Sequence, residues 1–239
     1  MHNLTHHFPS LDGCLHVYLD VGSNVGVQLT NLYEGRPSRM QSTWARLFGP
    51  VAERAATVCA VAIEPNPHHA GALRALQRRH APARIVVLNS TAASNEDGER
   101  LFYILPAFPQ YHEWGSALIR RSNDSAAVNV QTLNFAHWVS RVVLQRSLGD
   151  ARRDGLKPAV VMKLDVEGEE FRVLPNLLAH GVLCRLDAAF VEYHDATTHH
   201  ADIAKRYGAP ESFPTAMKYV LRHASHCGVQ MGRLEGNDL

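Results

Sequence analysis

The sequence predicts an α/β fold in which helices cover both faces of a mainly parallel central sheet. Two observations predict it: short apolar runs alternate with helical patterns along nearly the whole chain, and acidic or glycine-containing turns follow several of these runs. Alternation of this kind is typical of parallel strands that are joined by crossover helices. With 239 residues the chain suffices for one sizeable domain. We therefore expect a single domain over residues 1–239.

The individual elements follow from apolar runs and from the residues that begin or end them. In chain order, the predicted strands are Leu15–Asp20, Thr57–Ile63, Arg84–Asn89, Glu99–Leu105, Ala127–Leu133, Ala159–Asp165, Leu186–Tyr193 and Val229–Leu234. The predicted helices are a segment that ends near Tyr33, then Asn66–Arg79, Phe135–Ser147, Glu169–His180 and Ser212–Cys227. Pro67 suits a first helical position, and Gly181 is a typical helix stop.

Two stretches interrupt this alternation. Residues 35–50 are interpreted as an insertion between the first helix and the second strand. Residues 106–125 are rich in Pro, Gly and aromatic side chains, and a long loop of this kind inside a domain is usually functional or disordered. We predict that this second stretch is a substrate loop, whose acceptor contacts are Tyr111, His112, Trp114 and Ser116.

Charge and cysteine usage restrict the class of partner. The formal net charge is +1, so there is no global field that would attract nucleic acid or an anionic membrane. The N-terminus lacks the pattern of a signal peptide, and no segment is apolar enough to span a bilayer. Four widely spaced cysteines, without a Cys-x-x-Cys motif, favour free thiols in a reducing compartment. These observations predict a cytoplasmic protein.

The first chemical signal is the glycine turn after the first strand. Residues 19–26 read LDVGSNVG, and glycine at such a turn lets a ligand approach the backbone closely. The residue two positions before Gly26 is Asn24, whereas dinucleotide sites carry a glycine there to meet a pyrophosphate. Asp20 beside this turn suits a cationic ligand such as S-adenosylmethionine. The alternative is a turn that needs glycine for structural reasons alone.

The second signal is Glu64, which ends the second strand and precedes Pro65. An acid at this place can accept both hydroxyl groups of a ribose. The insertion at 35–50 explains why Glu64 lies farther from the glycine turn than the usual interval of about 20 residues. The alternative is an acid that interacts with the dipole at the start of the next helix.

The third signal is a group of ionisable residues after two later strands. Asp165 and Glu167 follow the strand 159–165, and Glu192 and His194 end the next strand. Acids at a sheet edge are costly unless they are hydrogen-bonded, bound to a cofactor or catalytic. We interpret Asp165 as the preferred general base for a hydroxyl acceptor, with His194 as its rival because an imidazole titrates closer to neutrality. Glu169 and Glu170 are interpreted as first-turn helix acids.

These motifs together resemble the FkbM family of methyltransferases. The matching segments run in the family's order: residues 19–26 (LDVGSNVG), 63–67 (IEPNP), 88–98 (LNSTAASNEDG), 163–170 (KLDVEGEE) and 191–194 (VEYH). The block at 163–170 is the most specific of them. The resemblance implies a Rossmann-like class I methyltransferase fold, S-adenosylmethionine as methyl donor, and O-methylation of a sugar, glycan or secondary metabolite.

The resemblance also implies roles for individual residues. The cofactor-binding set is Asp20, Gly22, Ser23, Asn24, Gly26, Glu64, Asn66, Ala92, Ser94 and Asp165. From their position at the sheet edge, and not from the resemblance, we interpret Asp165, Glu192 and His194 as the catalytic set and Glu167 as a substrate contact. A divalent cation held by Asp165, Glu192 and His194 is an alternative, since oxygen-rich sites suit Mg²⁺ or Mn²⁺, but we assign no metal.

Two departures from the family pattern and two other classes of function stay open. Asn134 stands where the family often has Asp, and the chain ends soon after Leu234, which leaves little sequence for a seventh strand. A nicotinamide-dependent oxidoreductase is an alternative, although the second glycine of its motif is missing. A non-catalytic module that binds S-adenosylmethionine is another, and the retained acids at Asp165, Glu167 and Glu192 argue against it.

Overall fold

The predicted α/β fold is confirmed by a computed structural model, which describes residues 9–106, 113–152, 156–194, 201–208, 213–224 and 226–234. The strands are β1 (His16–Val21), β2 (Val58–Glu64), β3 (Ile85–Asn89), β4 (Thr91–Ser94), β5 (Gly98–Ile104), β6 (Ala126–Asn134), β7 (Val160–Leu164), β8 (Ala188–Val191) and β9 (Gln230–Arg233). The helices are α1 (Val27–Glu34), α2 (Gln41–Phe48), α3 (Val51–Thr57), α4 (Ala70–Arg79), α5 (Phe135–Trp138), α6 (Glu170–Ala179), α7 (Ala201–Arg206) and α8 (Phe213–His223). A π-helical segment, Val139–Val143, continues α5.

Six parallel strands form the main sheet in the order β3-β2-β1-β7-β8-β9. β1, β2 and β7 are buried along their whole length because helices pack on both sides of them. Val17 and Leu19 belong to the core cluster that contains residues of α5, α6 and α8. Tyr18 faces the opposite way and belongs to the cluster with α1, α2 and α4. This alternation follows from the two-residue period of a strand.

A second sheet of three strands, in the order β4-β6-β5, was not predicted as a separate unit. β4 begins two residues after β3, and Ser90 between them adopts a positive φ of 52°. Phe102, Ile104 and Val130 build its small apolar core. The segment 35–50, predicted as an insertion, contains α2, and its Trp44 is fully buried against Tyr18. No helix in the described residues combines the length and apolarity needed to cross a membrane.

The prediction of four free thiols is wrong, because the cysteines form two disulfides. Cys14 pairs with Cys59, and Cys184 pairs with Cys227. The partners are 45 and 43 residues apart in sequence, and parallel strand pairing brings them together, as the register Val17↔Cys59 shows. Disulfides are typical of oxidising compartments. The expectation of a reducing compartment therefore loses the support that it drew from the cysteines.

Both disulfides lie at the amino-terminal edge of the main sheet. Cys14 and Cys59 lie near the starts of β1 and β2, whereas Cys184 and Cys227 precede β8 and β9. The second bond therefore ties the edge strand β9, which is only partly buried, to the rest of the sheet. The carboxyl-terminal edge, where open α/β sheets bind ligands, is left without a covalent restraint from these bonds.

Loss of the Cys184–Cys227 bond should lower the free energy of unfolding by about 2–4 kcal/mol, because the bond closes a long loop in the unfolded chain. We expect this for the double variant Cys184→Ala/Cys227→Ala, measured by urea denaturation without reductant. The double variant Cys14→Ala/Cys59→Ala provides the same comparison for the other bond. Unchanged unfolding midpoints, or four free thiols by mass spectrometry in the native protein, would contradict the assignment.

Candidate active site

The carboxyl-terminal edge of the main sheet forms one side of a cavity of about 930 Å³, part of which is open to solvent. Residues from the turns after β1, β2 and β7 line it, together with residues from β4, β5 and the segment 113–118. Of the predicted site residues, those in the lining are Gly22, Ser23, Asn24, Glu64, Asn66, Ala92, Trp114, Ser116, Asp165 and Glu167.

Glycine is required at two positions of the turn after β1, for two different structural reasons. Gly22 adopts a φ of +75°, and a Cβ atom there would lie 1.7 Å from the backbone oxygen of Asp165. Only glycine therefore lets the turn after β1 pass so close to the end of β7. Gly26 adopts a φ of +86°, and its added Cβ would lie 2.8 Å from the side chain of Leu76. Gly26 thus permits packing against α4 and is not among the lining residues.

Glu64 connects the turns that follow β1 and β2. One carboxylate oxygen accepts a hydrogen bond of 2.7 Å from the backbone N–H of Asn24. The other accepts one of 2.8 Å from the backbone N–H of Asn66 and lies 3.3 Å from Nδ1 of His69. Each oxygen can still accept from a ligand, because a carboxylate has about four acceptor sites. The carboxylate is therefore oriented by the backbone and presented to the cavity.

Beneath the cavity, Lys163 joins three parts of the site. Its ammonium donates to the backbone oxygen of Gly22 at 2.5 Å and to a carboxylate oxygen of Asp165 at 3.0 Å. It lies 3.9 Å from Asp20. Asp20 and Lys163 have 0% and 1% of their surface exposed. Sequence reasoning did not single out Lys163, although a lysine inside the apolar run 159–164 was a detectable signal.

Asp20 is fully buried and is not among the lining residues, so the structure does not present it to the cavity for the direct cofactor contact that was predicted. Among the described residues, neither carboxylate oxygen of Asp20 finds a hydrogen-bond partner of acceptable geometry. Burial raises the pKa of Asp20 to about 7, while the neighbouring Lys163 opposes the shift. A carboxyl with this pKa is partly protonated at neutral pH.

A cluster of ionisable groups follows β7 and β8. Nδ1 of His194 lies 3.1 Å from Glu170, and Nε2 lies 3.3 Å from Glu167 and 3.9 Å from Asp165. Burial alone would lower the pKa of His194, but Glu167 and Glu170 outweigh it and raise the pKa to about 10. Burial and the nearby Asp165 raise the pKa of Glu192 to about 7. Neither Glu192 nor His194 is in the cavity lining.

Glu169 and Glu170, which were predicted only as first-turn helix acids, accept hydrogen bonds from several other parts of the site. Glu170 begins α6 and is fully buried, and it accepts from the backbone N–H groups of Gly168 and His194. Glu169 accepts hydrogen bonds from Ser94 at 2.5 Å, Arg100 at 3.1 Å and Tyr207 at 2.6 Å. Ser94, which was predicted as a cofactor contact, is bonded to Glu169 and fully buried, and it does not line the cavity.

The segment 113–121 contributes residues 113–116 and 118 to the cavity wall and is held by contacts to two other parts of the site. Glu113 accepts from the side chain of Asn66 at 2.5 Å and contacts the imidazole of His68 at 3.0 Å. On the other side, Glu167 accepts from the backbone N–H of Gly115 at 3.1 Å and pairs with Arg121 at 3.2 Å. Of the four predicted acceptor contacts, Trp114 and Ser116 line the cavity. The other two, Tyr111 and His112, lie outside the described residues.

The ionisable side chains that line the cavity are mostly acidic. Five carboxylates and one lysine line the cavity among the described residues: Glu64, Glu113, Asp165, Glu167, Glu169 and Lys163. A pyrophosphate would be repelled by this surface, whereas a cationic ligand would be attracted. Ile63, Ala92, Phe102 and Leu118 add an apolar wall. The site therefore suits a ligand that combines positive charge with a flat apolar ring.

One comparison with known proteins found a match. The family model described as "Methyltransferase FkbM domain" matches residues 20–225, which begin at the carboxyl end of β1 and include β2 to β8. Neither the search of curated proteins nor the search of solved structures found a significant match.

The buried Asp20 should make stability depend on pH. Its pKa is about 7 in the folded protein against an ordinary value of 3.8. Between these values the folded state binds one proton more than the unfolded state, so stability falls as pH rises from about 4 to 7. Asp20→Asn should remove roughly 2–4 kcal/mol of this decrease. Urea denaturation across this pH range, with Asp124→Asn as an exposed control, measures it; identical slopes for wild type and Asp20→Asn would refute the shift.

Proposed function

Since the chain belongs to the FkbM methyltransferase family, we propose that it transfers a methyl group from S-adenosylmethionine to a hydroxyl group of a small molecule or glycan. The observation that carries this proposal is the charge of the lining, where the described part of the chain contributes five carboxylates and one lysine. S-adenosylmethionine has a sulfonium and an ammonium but no phosphate, so it fits such a surface. A nicotinamide dinucleotide does not fit, because its pyrophosphate would face these acids.

The residues that would hold the cofactor are those whose orientation is already determined. Glu64 accepts the ribose hydroxyl groups, because both of its oxygens are directed by backbone N–H groups and face the cavity. The turn 22–25 surrounds the methionine part, and the apolar wall with Ala92 and Phe102 accommodates the adenine. When bound, S-adenosylmethionine supplies an electrophilic methyl group.

Asp165 is our candidate for the general base. It lines the cavity, and Lys163 holds one of its oxygens at 3.0 Å. His194 is a poor alternative, because both ring nitrogens face carboxylates and its pKa of about 10 keeps the ring protonated at neutral pH. An imidazolium cannot accept a proton. Glu192 has a suitable pKa of about 7 but does not reach the cavity lining.

The acceptor is proposed to bind beside the segment 113–121. Trp114 offers an aromatic surface to the cavity, and aromatic rings pack well on sugar or ring faces. Two hydrogen bonds, from Asn66 to Glu113 and from Gly115 to Glu167, hold this segment against the cavity. Incubation with labelled S-adenosylmethionine and a panel of glycans, phenols, polyketides and peptides tests this class of acceptor. No transfer to any hydroxyl compound would count against O-methylation.

Replacement of Glu64 should weaken cofactor binding. Glu64→Gln should cost roughly 1.5–3 kcal/mol in affinity for S-adenosylmethionine and S-adenosylhomocysteine, because a charge-assisted hydrogen bond is lost. Isothermal titration calorimetry measures this, with Glu53→Gln as an exposed control at the other edge of the sheet. Circular dichroism must show a folded variant, since Glu64 also binds two backbone groups. Unchanged affinity, or tighter binding of NAD by the wild type, would refute the assignment.

Removal of the base should affect turnover far more than binding. Asp165→Asn should lower the rate of methyl transfer to an identified hydroxyl acceptor by about 10²–10⁴-fold, with cofactor affinity largely kept. Glu192→Gln and His194→Asn are the comparison variants, for which we expect smaller effects because neither residue lines the cavity. If all three variants turn over at nearly the wild-type rate, no carboxylate or imidazole of this group acts as the base.

A further inference from the structure

We infer that Asp165, Glu167 and His194 form a binding site for one divalent cation at the edge of the cavity. Each residue offers one ligand atom, and these atoms all lie within 4.8 Å of one another. The separations from Nε2 of His194 are 3.3 Å to Glu167 and 3.9 Å to Asp165. Metal bonds of about 2.0–2.2 Å place two ligands of one ion at most roughly 4.4 Å apart. Small side-chain movements would bring the three atoms into a coordination sphere.

Glu170 determines which ring nitrogen of His194 faces this site. Glu170 lies 3.1 Å from Nδ1 and also accepts from the backbone N–H of His194. A carboxylate can only accept, so Nδ1 carries a hydrogen and Nε2 faces Glu167 and Asp165. A carboxylate that orients an imidazole in this way is the usual outer partner of a metal-binding histidine. A cation would take the place of the proton on Nε2.

The surrounding charges favour a cation as well. Asp165, Glu167, Glu170 and Glu192 supply four acidic groups, and Lys163 and Arg121 supply two fixed positive charges. Oε2 of Glu192 is buried and accepts no hydrogen bond within the described part of the chain. With a neutral His194, a divalent cation together with Lys163 and Arg121 would balance the four acids. This arrangement differs from the alternative considered from the sequence, because Glu167 replaces Glu192 among the ligands.

Two carboxylate oxygens and one imidazole nitrogen suit Mn²⁺ or a similar first-row cation better than soft metals. Three protein ligands would leave further positions for water or for an acceptor oxygen. A role in orienting the acceptor rests on the proposed function, because it requires the hydroxyl group to lie next to Asp165. The binding of the cation itself does not depend on that function.

The test is titration of the full-length protein with Mn²⁺ after treatment with a chelator, followed by electron paramagnetic resonance and calorimetry. We expect one Mn²⁺ per chain, a loss of at least tenfold in affinity for Glu167→Gln and His194→Gln, and a loss of about 10–100-fold for Glu170→Gln. Glu53→Gln is the control, since Glu53 is exposed and belongs neither to the cavity lining nor to the cluster. Its affinity for Mn²⁺ should stay within about twofold of wild type, because a control acid outside the coordination sphere contributes only screened attraction.

No binding of Mn²⁺, Mg²⁺ or Zn²⁺ at millimolar concentration would overturn the inference, as would equal affinities in wild type and Glu167→Gln. Glu167 is the decisive position if the buried His194 variants fail to fold, because its side chain is 21% exposed. Titration of the same samples with S-adenosylmethionine separates the two proposals. Cofactor binding without Mn²⁺ binding overturns the cation site alone, and Mn²⁺ binding without cofactor binding overturns the proposed function alone.

Discussion

The buried ammonium of Lys163 is the interaction on which the candidate site depends. It bonds to the carbonyl of Gly22 and to Asp165 and lies near Asp20, so it joins the ends of two neighbouring strands in one contact group. A buried charge without partners is very costly. The close approach of the two turns, which requires glycine at position 22, is therefore coupled to the balance of charge beneath the cavity.

Stability and chemistry are concentrated at opposite edges of the main sheet. The disulfides join strand pairs at the amino-terminal edge. The carboxyl-terminal edge carries the acids, the glycine turn and the backbone strain of Asn24 and Glu167, which adopt positive φ angles of 50° and 52°. Strained residues persist only where the surrounding structure holds them. The disulfides at the opposite edge stabilise the fold against this cost of backbone strain.

Much of the site could be predicted because parallel strands place their carboxyl ends at a common edge. The turn 22–24, Glu64 and Asp165 follow different strands, and they meet in one cavity for that reason alone. The partners of Glu169 could not be predicted in the same way. Ser94, Arg100 and Tyr207 come from three distant segments, and no local pattern relates them. The same holds for Glu113 on Asn66, which connects a long loop to the turn after β2.

The sequence by itself determined the class of fold, the family and every strand of the main sheet, because hydrophobic periodicity and short motifs are local properties. Only the tertiary structure decided which cysteines pair, that Asp20 and Ser94 lie behind the lining, and that both nitrogens of His194 face carboxylates. These outcomes depend on distances between residues that are far apart in the chain. Strand register and burial set those distances, and burial in turn changes the charge state that a side chain prefers.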